Sequence, residues 1–472
     1  MVFRSIAQNS SPLRSLDFYS SPIFVVHVQD SLKEQVGHDK MAPSIVRVGL
    51  LSRLLPKTLA ASQSRGIVTK EYLDLPYDYP DPWPYKERGY FQKHFLRDYT
   101  KKRLHKNSKL IVLEGNIASG KSSVGPALAD AFGFKYMSAF RMDDILIDPY
   151  GNDLRTFYDR FPKPFRIPDE KIYYSNPTDD NVARYSFRKF DCKWEQYMNA
   201  LAHIFNTGQG VVLESSPYSD FALVNAMRAK DHLSPEYFKF YYWNRKMALT
   251  QLRYWPHIVV YLDCEIPELV QRIKQRNQDG EAGVVDEKYL QTIKESHKDS
   301  LKEYKEHSKI LTYDWTEPGD PDSIVEDIER VDCDYFEWHS GSVHEEWHQP
   351  RDGIWYNIWR GWVTTKNRAR HNAFPGVPAH EISELYTGIL DANHFLNVMK
   401  LEVLGGRYAY GQYPEKGDDK SKVMWIDEED QRLPDPWYEY YWRDVYLHEF
   451  ECHNNLLDPY AIGHDPDYLH HH

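Results

Sequence analysis

A glycine-rich segment in the first third of the chain has the residue types and spacing of a phosphate-binding loop. Gly115, Gly120, Lys121 and Ser122 fit the pattern G-x-x-x-x-G-K-[ST]. In such a loop backbone N–H groups and the lysine bind phosphate oxygens, and the serine hydroxyl can bind Mg²⁺. We predict Mg²⁺ binding by Ser122 and Glu214. The residues predicted to bind the phosphates of a nucleotide are Gly115, Asn116, Ile117, Ala118, Ser119, Gly120, Lys121 and Ser122. A loop that only turns the chain is the alternative.

The elements around this segment are predicted to position it. Apolar runs that predict strands lie at 109–115, 208–216, 256–263 and 307–314. Residues 122–132 have the apolar spacing of a helix, and further helical patterns separate the later strands. This alternation predicts an α/β fold in which helices cover both faces of a parallel sheet. The loop and Glu214 then lie together at the carboxyl ends of strands, where such sheets bind ligands.

Composition and charge exclude several classes of function. The 472 residues include 70 acidic and 58 basic side chains, for a net charge of −12, so nucleic acid is not an expected partner. The longest apolar runs are too short to span a bilayer. Neither haem nor an iron–sulfur cluster is expected. The cysteines are spaced too widely for a zinc site or a disulfide framework and are predicted to be free thiols: Cys192, Cys264, Cys333 and Cys452.

The region after Met41 has the composition of a mitochondrial presequence. It contains several Arg and Lys residues and no Asp or Glu before Glu71. Helical spacing places apolar side chains on one face as far as Pro56. Residues 1–40 contain acidic side chains, which presequences avoid, so Met41 is the predicted start and cleavage is predicted near Arg65. A basic surface helix is the alternative.

Four segments follow from these patterns. Residues 1–66 form an N-terminal extension with the presequence, and 67–107 form an arm in which prolines alternate with aromatic residues, favouring extended backbone. Residues 108–331 form the domain with the phosphate loop. Residues 332–472 form a C-terminal extension with eight of the thirteen Trp residues, a composition typical of interface anchors. Packing of these aromatics on the chain's own core is the alternative.

Several segments between about residues 108 and 331 resemble the deoxynucleoside kinases. The segments are LEGNIASGKSS, TGQGVVLE, SDF, PHIVVYLD, PELVQRI and VEDIE. TGQGVVLE together with SDF resembles more closely a branch of accessory subunits that belong to mitochondrial NADH:ubiquinone oxidoreductase, respiratory complex I. The resemblance implies a nucleoside-kinase-like parallel sheet with helices on both faces, flanked here by the arm and the aromatic-rich extension.

The resemblance also implies where an active kinase would carry its catalytic groups. The catalytic Glu that follows the second strand is matched by Ser138 or Ala139, and the next acids, Asp143 and Asp144, come several residues later. The Arg that follows the Glu of the third strand is matched by Ser215, which has no positive charge to place on a phosphoryl group. Both departures predict a site without phosphoryl transfer.

Two further departures concern ligand binding. The lid of active members carries paired Arg residues around a Gly, whereas this chain has Arg272 and Arg276 followed by Asn277 and Gln278. The resemblance implies that both arginines contact a nucleotide. A Gln that recognises the nucleobase in active relatives is matched by Ser186.

The resemblance therefore implies a non-catalytic accessory subunit on the matrix side of the mitochondrial inner membrane. The expected partners are other complex I subunits, and no transmembrane segment is expected. The expected cofactor is a nucleotide, ATP or a deoxynucleotide, with Mg²⁺, and FAD stays open as an alternative. A working mitochondrial deoxynucleoside kinase that uses ATP–Mg²⁺ is one alternative function. A nucleotide-sensing regulatory module is another.

Overall fold

A computed structural model describes most of the chain between residues 66 and 402. The described residues are 66–85, 89–90, 94–147, 153–334, 343–348, 354–365, 382–398 and 402. The predicted start at Met41, the cleavage near Arg65 and most of the C-terminal extension lie outside them.

The described strands form one parallel sheet with β1 at its centre. The strands are β1 Leu110–Gly115, β2 Lys135–Met137, β3 Val211–Glu214, β4 Ile258–Asp263 and β5 Lys309–Asp314. Their order is β2-β3-β1-β4-β5, and Leu113 of β1 lies opposite both Glu214 and Val260. Every residue of β1 is buried, because helices cover the strand on both faces. The predicted α/β fold with a parallel sheet is confirmed.

Helices pack on both faces of this sheet. The described helices are α1 Lys121–Phe132, α2 Asp143–Leu146, α3 Glu170–Ser175, α4 Val182–Thr207, α5 Phe221–Ala229, α6 Pro235–Thr250, α7 Ile266–Arg276, α8 Glu281–Val284, α9 Glu287–Lys305, α10 Pro321–Arg330, α11 Ile354–Thr365 and α12 Ile389–Val398. Helices α1 and α10 share one apolar core with the sheet, and α4, α5, α6 and α9 share a second. No helix among the described residues is long and apolar enough to cross a membrane.

The arm lies against the carboxyl end of α4. The Tyr79 hydroxyl donates to the backbone oxygens of Arg103 at 2.6 Å and Thr207 at 3.2 Å. Gly208 ends α4 with a φ of +77°, and a Cβ there would lie 1.8 Å from the Tyr79 hydroxyl. Glycine is therefore required at this position both by the left-handed turn and by the close approach of the arm.

Part of the C-terminal extension packs on the same core. Trp347, Tyr356 and Trp359 are buried, and the Trp347 indole donates to the backbone oxygen of Trp255 at 2.8 Å. Trp355, on the other side of α11, is 60% exposed. For the described aromatics of 343–365, packing on the chain's own core accounts for most of the burial.

Arg360 of α11 joins three segments that are remote in sequence. Its side chain is fully buried and donates to Asn206 Oδ1 of α4 at 2.7 Å and to Asp98 Oδ2 of the arm at 2.8 Å. Its guanidinium also lies 3.7 Å from the centroid of the Tyr90 ring. Burial lowers the pKa of Arg360, and the Asp98 carboxylate opposes this shift. Asp98 thus compensates a charge that would otherwise be costly to bury.

Replacing Arg360 with Met is expected to lower the free energy of unfolding by about 1.5–3 kcal/mol, because Asp98 would lose one of its two buried cations and keep Arg103, and Asn206 would lose a charged donor. The measurement is chemical denaturation of the wild type and the variant. Arg253→Met is the matched control, since exposed Arg253 lies over the Trp359 ring at 5.3 Å without an ion pair among the described contacts. The control should lose less than about 1 kcal/mol. An equal loss in both variants would show that the buried pair contributes little.

Candidate functional site

A cavity of about 310 Å³ opens at the carboxyl ends of β1 and β3. The predicted phosphate loop forms one wall, and residues of α3, α4 and α9 form the other. The charged side chains that line it are Lys121, Glu170, Lys189, Lys193, Glu214, Asp220, Arg276 and Glu281. The cavity therefore combines the loop with both acidic and basic groups.

The backbone of the loop requires its two terminal glycines. Gly115 has a φ of +150°, and a Cβ there would lie 2.7 Å from the backbone oxygen of Leu262. Gly120 has a φ of +96° and directly precedes α1. The first N–H groups of a helix have no intrahelical partner, so the start of α1 offers donors and a positive dipole end to an anion. This geometry fits a phosphate group.

Lys121 is the first residue of α1, and its side chain turns back into the loop. Its Nζ donates to the backbone oxygens of Gly115 at 3.0 Å and Asn116 at 2.7 Å. Burial lowers the pKa of Lys121, and the Glu214 and Glu114 carboxylates oppose that shift. A phosphate oxygen would compete with the two carbonyls for this ammonium group and would supply the full negative charge that they lack.

Ser122 and Glu214 are adjacent, as predicted for a Mg²⁺ site. The Ser122 hydroxyl donates to Glu214 Oε1 at 3.0 Å, and the Tyr136 hydroxyl donates to Glu214 Oε2 at 2.7 Å. Burial, together with the Glu214 carboxylate, raises the pKa of Tyr136. A hydroxyl and a carboxylate suit Mg²⁺, which takes its remaining oxygen ligands from phosphates and water. The two side chains fit a nucleotide-bound Mg²⁺.

Below the loop lies a polar network that the sequence did not reveal. Glu114 is buried and accepts hydrogen bonds from Ser219 Oγ at 2.7 Å and from the Tyr304 hydroxyl at 2.8 Å. Burial raises the pKa of Glu114. His297, also buried, lines the cavity, and burial lowers its pKa to about 3. His297 is therefore neutral near pH 7.

Two of the predicted nucleotide ligands are used elsewhere. The Asn116 side chain donates to the backbone oxygen of Leu290 at 2.9 Å and supports the loop from behind. Arg272 donates to Thr316 O at 2.6 Å and to Glu268 Oε1 at 3.0 Å. Neither side chain is among the described residues that line the cavity. Arg272 also donates to the backbone oxygen of Ala118 at 3.4 Å, so both side chains support the loop, and their assignment as nucleotide ligands stays a prediction.

Arg276 does line the cavity. Its Nε donates to Glu281 Oε2 at 3.0 Å, and its Nη2 donates to Glu281 Oε1. The predicted lid arginine thus forms an ion pair with Glu281, a contact that the sequence did not predict.

Among the described residues 138–147, which follow β2, no carboxylate lines the cavity. Ala139, one of the two positions matched to the catalytic Glu of active kinases, lines the cavity. Asp143 pairs with Arg155 at 2.7 Å, and Asp144 accepts a hydrogen bond from the backbone N–H of Arg141 at 2.9 Å. Neither aspartate is among the described residues that line the cavity. Both stabilise the loop around α2 instead.

Ser215 occupies a left-handed turn at the end of β3. Its φ is +65°, an uncommon conformation for a residue other than glycine. Ser215 lines the cavity, so the position is accessible to a ligand and carries no positive charge.

Helix α4 provides the wall opposite the loop. Tyr185, Lys189 and Lys193, spaced four residues apart, share the helix face that lines the cavity. Lys189 lies 3.3 Å from Glu170, and Lys193 lies 2.6 Å from Asp220. Burial lowers the pKa of Lys189, but Glu170, Tyr174 and Asp220 together oppose this shift, and the pKa is raised overall.

Ser186 is not among the described residues that line the cavity, although it was matched to the nucleobase-reading Gln. One helical position, about 100°, separates it from Tyr185, so its side chain is buried on another face of α4. The position that faces the cavity is Tyr185 or Lys189. The four-residue spacing of Tyr185, Lys189 and Lys193 was the signal that could have identified this wall.

Comparisons with known proteins identify the family to which this chain is similar. The model of the family described as deoxynucleoside kinase matches residues 111–350, just over half of the chain. The chain is 31% identical over 334 residues to NADH dehydrogenase [ubiquinone] 1 alpha subcomplex subunit 10, mitochondrial, of Mus musculus, covering 70% of this chain and 87% of the relative. The Bos taurus protein of the same name is 32% identical over 248 residues, covering 52% and 70%. A deoxyguanosine kinase of Dictyostelium discoideum is 27% identical over 230 residues, covering 48% and 72%.

Proposed function

The chain belongs to the deoxynucleoside kinase family, and from this premise we propose that it is a non-catalytic accessory subunit of mitochondrial respiratory complex I. It supports the assembly or stability of the complex and thereby NADH-linked electron transport. The similarity to the two relatives named as complex I subunits supports this role. The role is tested by removing the protein from mitochondria and measuring how much complex I assembles.

The observation that carries the non-catalytic part of the proposal is the charge arrangement of the cavity. Phosphoryl transfer needs positive charge on the transferring group and a carboxylate to accept the proton of the acceptor hydroxyl. Here Ser215 is neutral, Arg276 is paired with Glu281, and neither Ser138 nor Ala139, the two positions matched to the catalytic Glu, carries a carboxylate. Lys189 and Lys193 are also close to carboxylates, Glu170 and Asp220, whereas Lys121 donates to two backbone oxygens of the loop. These residues supply little unpaired positive charge to a transition state.

Nucleotide binding without turnover is part of the proposal. The loop 115–122 would hold the phosphates of ATP or a deoxynucleotide, and Ser122 and Glu214 would hold its Mg²⁺. The glycine geometry and the Ser122–Glu214 contact support this assignment. The metal would neutralise phosphate charge when bound, and Lys121 would orient the phosphate oxygens.

Millimolar ATP–Mg²⁺ or a deoxynucleotide is expected to raise the melting temperature of the wild type by a few degrees, because a ligand that binds only the folded state stabilises it. Lys121→Ala should abolish the shift, since its ammonium is the cation at the loop. Lys302→Ala is the matched control, because Lys302 is exposed on α9 and should keep the wild-type shift. Thermal scans with each nucleotide and with FAD measure the effect. The absence of a shift with every ligand would favour an empty scaffold.

One observation favours the alternative of an active kinase. Lys121, Ser122 and Glu214 are all in place, and the chain is similar to a protein named deoxyguanosine kinase. In that case the cavity would transfer the γ-phosphoryl group of ATP–Mg²⁺ to a deoxynucleoside and release ADP. Nucleotide sensing, the further alternative, would require that a bound nucleotide changes how the protein assembles with its partners.

We place the protein on the matrix side of the inner membrane, held there by other complex I subunits. The mitochondrial relatives support import, and the acid-free segment after Met41 supports an N-terminal presequence.

A further inference from the structure

The lid arginine of the cavity has an internal partner of matched geometry. Two nitrogens of Arg276 donate to the two oxygens of Glu281, which is the bidentate arrangement that a guanidinium also makes with phosphate. Glu281 is only 1% exposed, whereas the Arg276 side chain is 45% exposed. The carboxylate is therefore the buried member of the pair and depends on Arg276 for compensation.

The short loop between the two residues turns back to bring them together. Asn277 ends α7 with a φ of +49°, and Gly280 precedes α8 with a φ of +71°. A Cβ on Gly280 would lie 3.1 Å from Tyr174, which packs beneath the turn. The Tyr174 hydroxyl also donates to Glu281 Oε1 at 3.5 Å. Two left-handed residues and a packed tyrosine thus fix Glu281 opposite Arg276.

We infer that Glu281 is a built-in competitor of phosphate and determines how strongly the cavity binds phosphate groups. The inference rests on the proposed binding of a nucleotide at loop 115–122. Arg276 cannot make the same bidentate contact with Glu281 and with a phosphate group at once. A phosphate that takes the Nε and Nη2 edge of Arg276 must first displace Glu281 and leave its buried carboxylate without that cation, and the Glu281 charge repels a phosphate that approaches the remaining Nη1 group. In the wild type, phosphates are therefore bound by the loop and Lys121, with Arg276 contributing little.

The test compares phosphate binding by four forms of the full chain. Calorimetry measures the binding of inorganic tripolyphosphate and of ATP–Mg²⁺ to the wild type, Glu281→Gln, Arg276→Gln and the double variant. Glu281→Gln keeps the size of the side chain but removes its charge, so it should tighten binding by roughly tenfold. Arg276→Gln should not tighten binding, because it removes the cation and leaves the Glu281 carboxylate in place. The double variant should lose the gain, because the gain comes from the released Arg276.

Two controls make the result specific. Glu268→Gln removes the carboxylate of the other Arg–Glu pair on α7, which lies outside the described cavity lining, and should not change binding. The melting temperature gives a readout that needs no ligand. Arg276→Gln should lower it by roughly 5 °C, because Glu281 is left buried without its cation, and the double variant should recover part of the loss.

The possible outcomes separate this inference from the proposed function. A loss of affinity in Arg276→Gln with no gain in Glu281→Gln would mean that Arg276 already binds phosphate, which overturns the inference and leaves nucleotide binding intact. No binding by any form, including Glu281→Gln, would overturn both the inference and the proposed nucleotide site. The role in complex I is decided by assembly measurements in mitochondria and does not depend on either result.

Discussion

The purified protein is expected to phosphorylate no deoxynucleoside above background, and Ser215→Arg alone is expected not to create activity. A positioned Arg contributes on the order of 10³-fold or more to phosphoryl transfer, and a catalytic base and a closing lid must act with it. Groups that act as one unit lose most of the rate when any one of them is absent. Adding an Arg at 215 leaves Ala139 without a carboxylate and Arg276 paired with Glu281.

The measurement is the formation of deoxynucleoside monophosphate from each of the four deoxynucleosides with ATP–Mg²⁺. Lys121→Ala, purified in the same way, measures the activity of any contaminating kinase, because this variant lacks the cation that would bind the phosphates of ATP. Turnover by the unmodified chain that disappears in Lys121→Ala would identify an active enzyme and would contradict the non-catalytic part of the proposal.

Depletion of the protein from cells is expected to remove a large part of assembled complex I and of NADH-linked respiration. Succinate-linked respiration, which does not use complex I, should be retained. A chain that starts at Met41 should restore assembly, because it keeps the acid-free presequence. A chain that lacks residues 41–65 should not, since it would not be imported. Lys121→Ala should restore assembly at least partly if the loop is chiefly structural.

Native gels of membranes from each cell line and oxygen consumption with the two substrates measure these effects. The Met41 chain is the positive control for every variant. Normal complex I after full depletion would contradict the accessory role, and rescue by the chain lacking residues 41–65 would contradict the predicted presequence.

Four of the five described strands and the phosphate loop followed from local sequence patterns, whereas the short strand β2 Lys135–Met137 did not. Leu110–Gly115 is apolar throughout because it is buried on both faces, and this is the property that an apolar run reports. The loop was predictable because Gly115 and Gly120 have a backbone conformation that favours glycine. The contact of Ser122 with Glu214 followed from the parallel sheet, which brings the ends of β1 and β3 together.

The partners of the charged residues could not be predicted from sequence. Arg272 and Arg276 lie one helical turn apart, yet Arg272 donates to the loop backbone at Ala118 and Arg276 lines the cavity beside Glu281. Which of them faces the cavity depends on how α7 packs, a tertiary property that spacing does not contain. Arg360 is a similar case, because a lone Arg in an aromatic segment is usually exposed, whereas here Asn206 and Asp98 make its burial possible.

The central claim is that this chain is a subunit of complex I, and the size at which it migrates tests that claim most directly. Mitochondrial membranes are solubilised with a mild detergent, separated on a native gel, stained for NADH dehydrogenase activity and probed for the protein. We expect the protein in the same high-molecular-mass band as the NADH dehydrogenase activity. Its migration only at the size of a free chain or a small oligomer, away from that activity, would contradict the account.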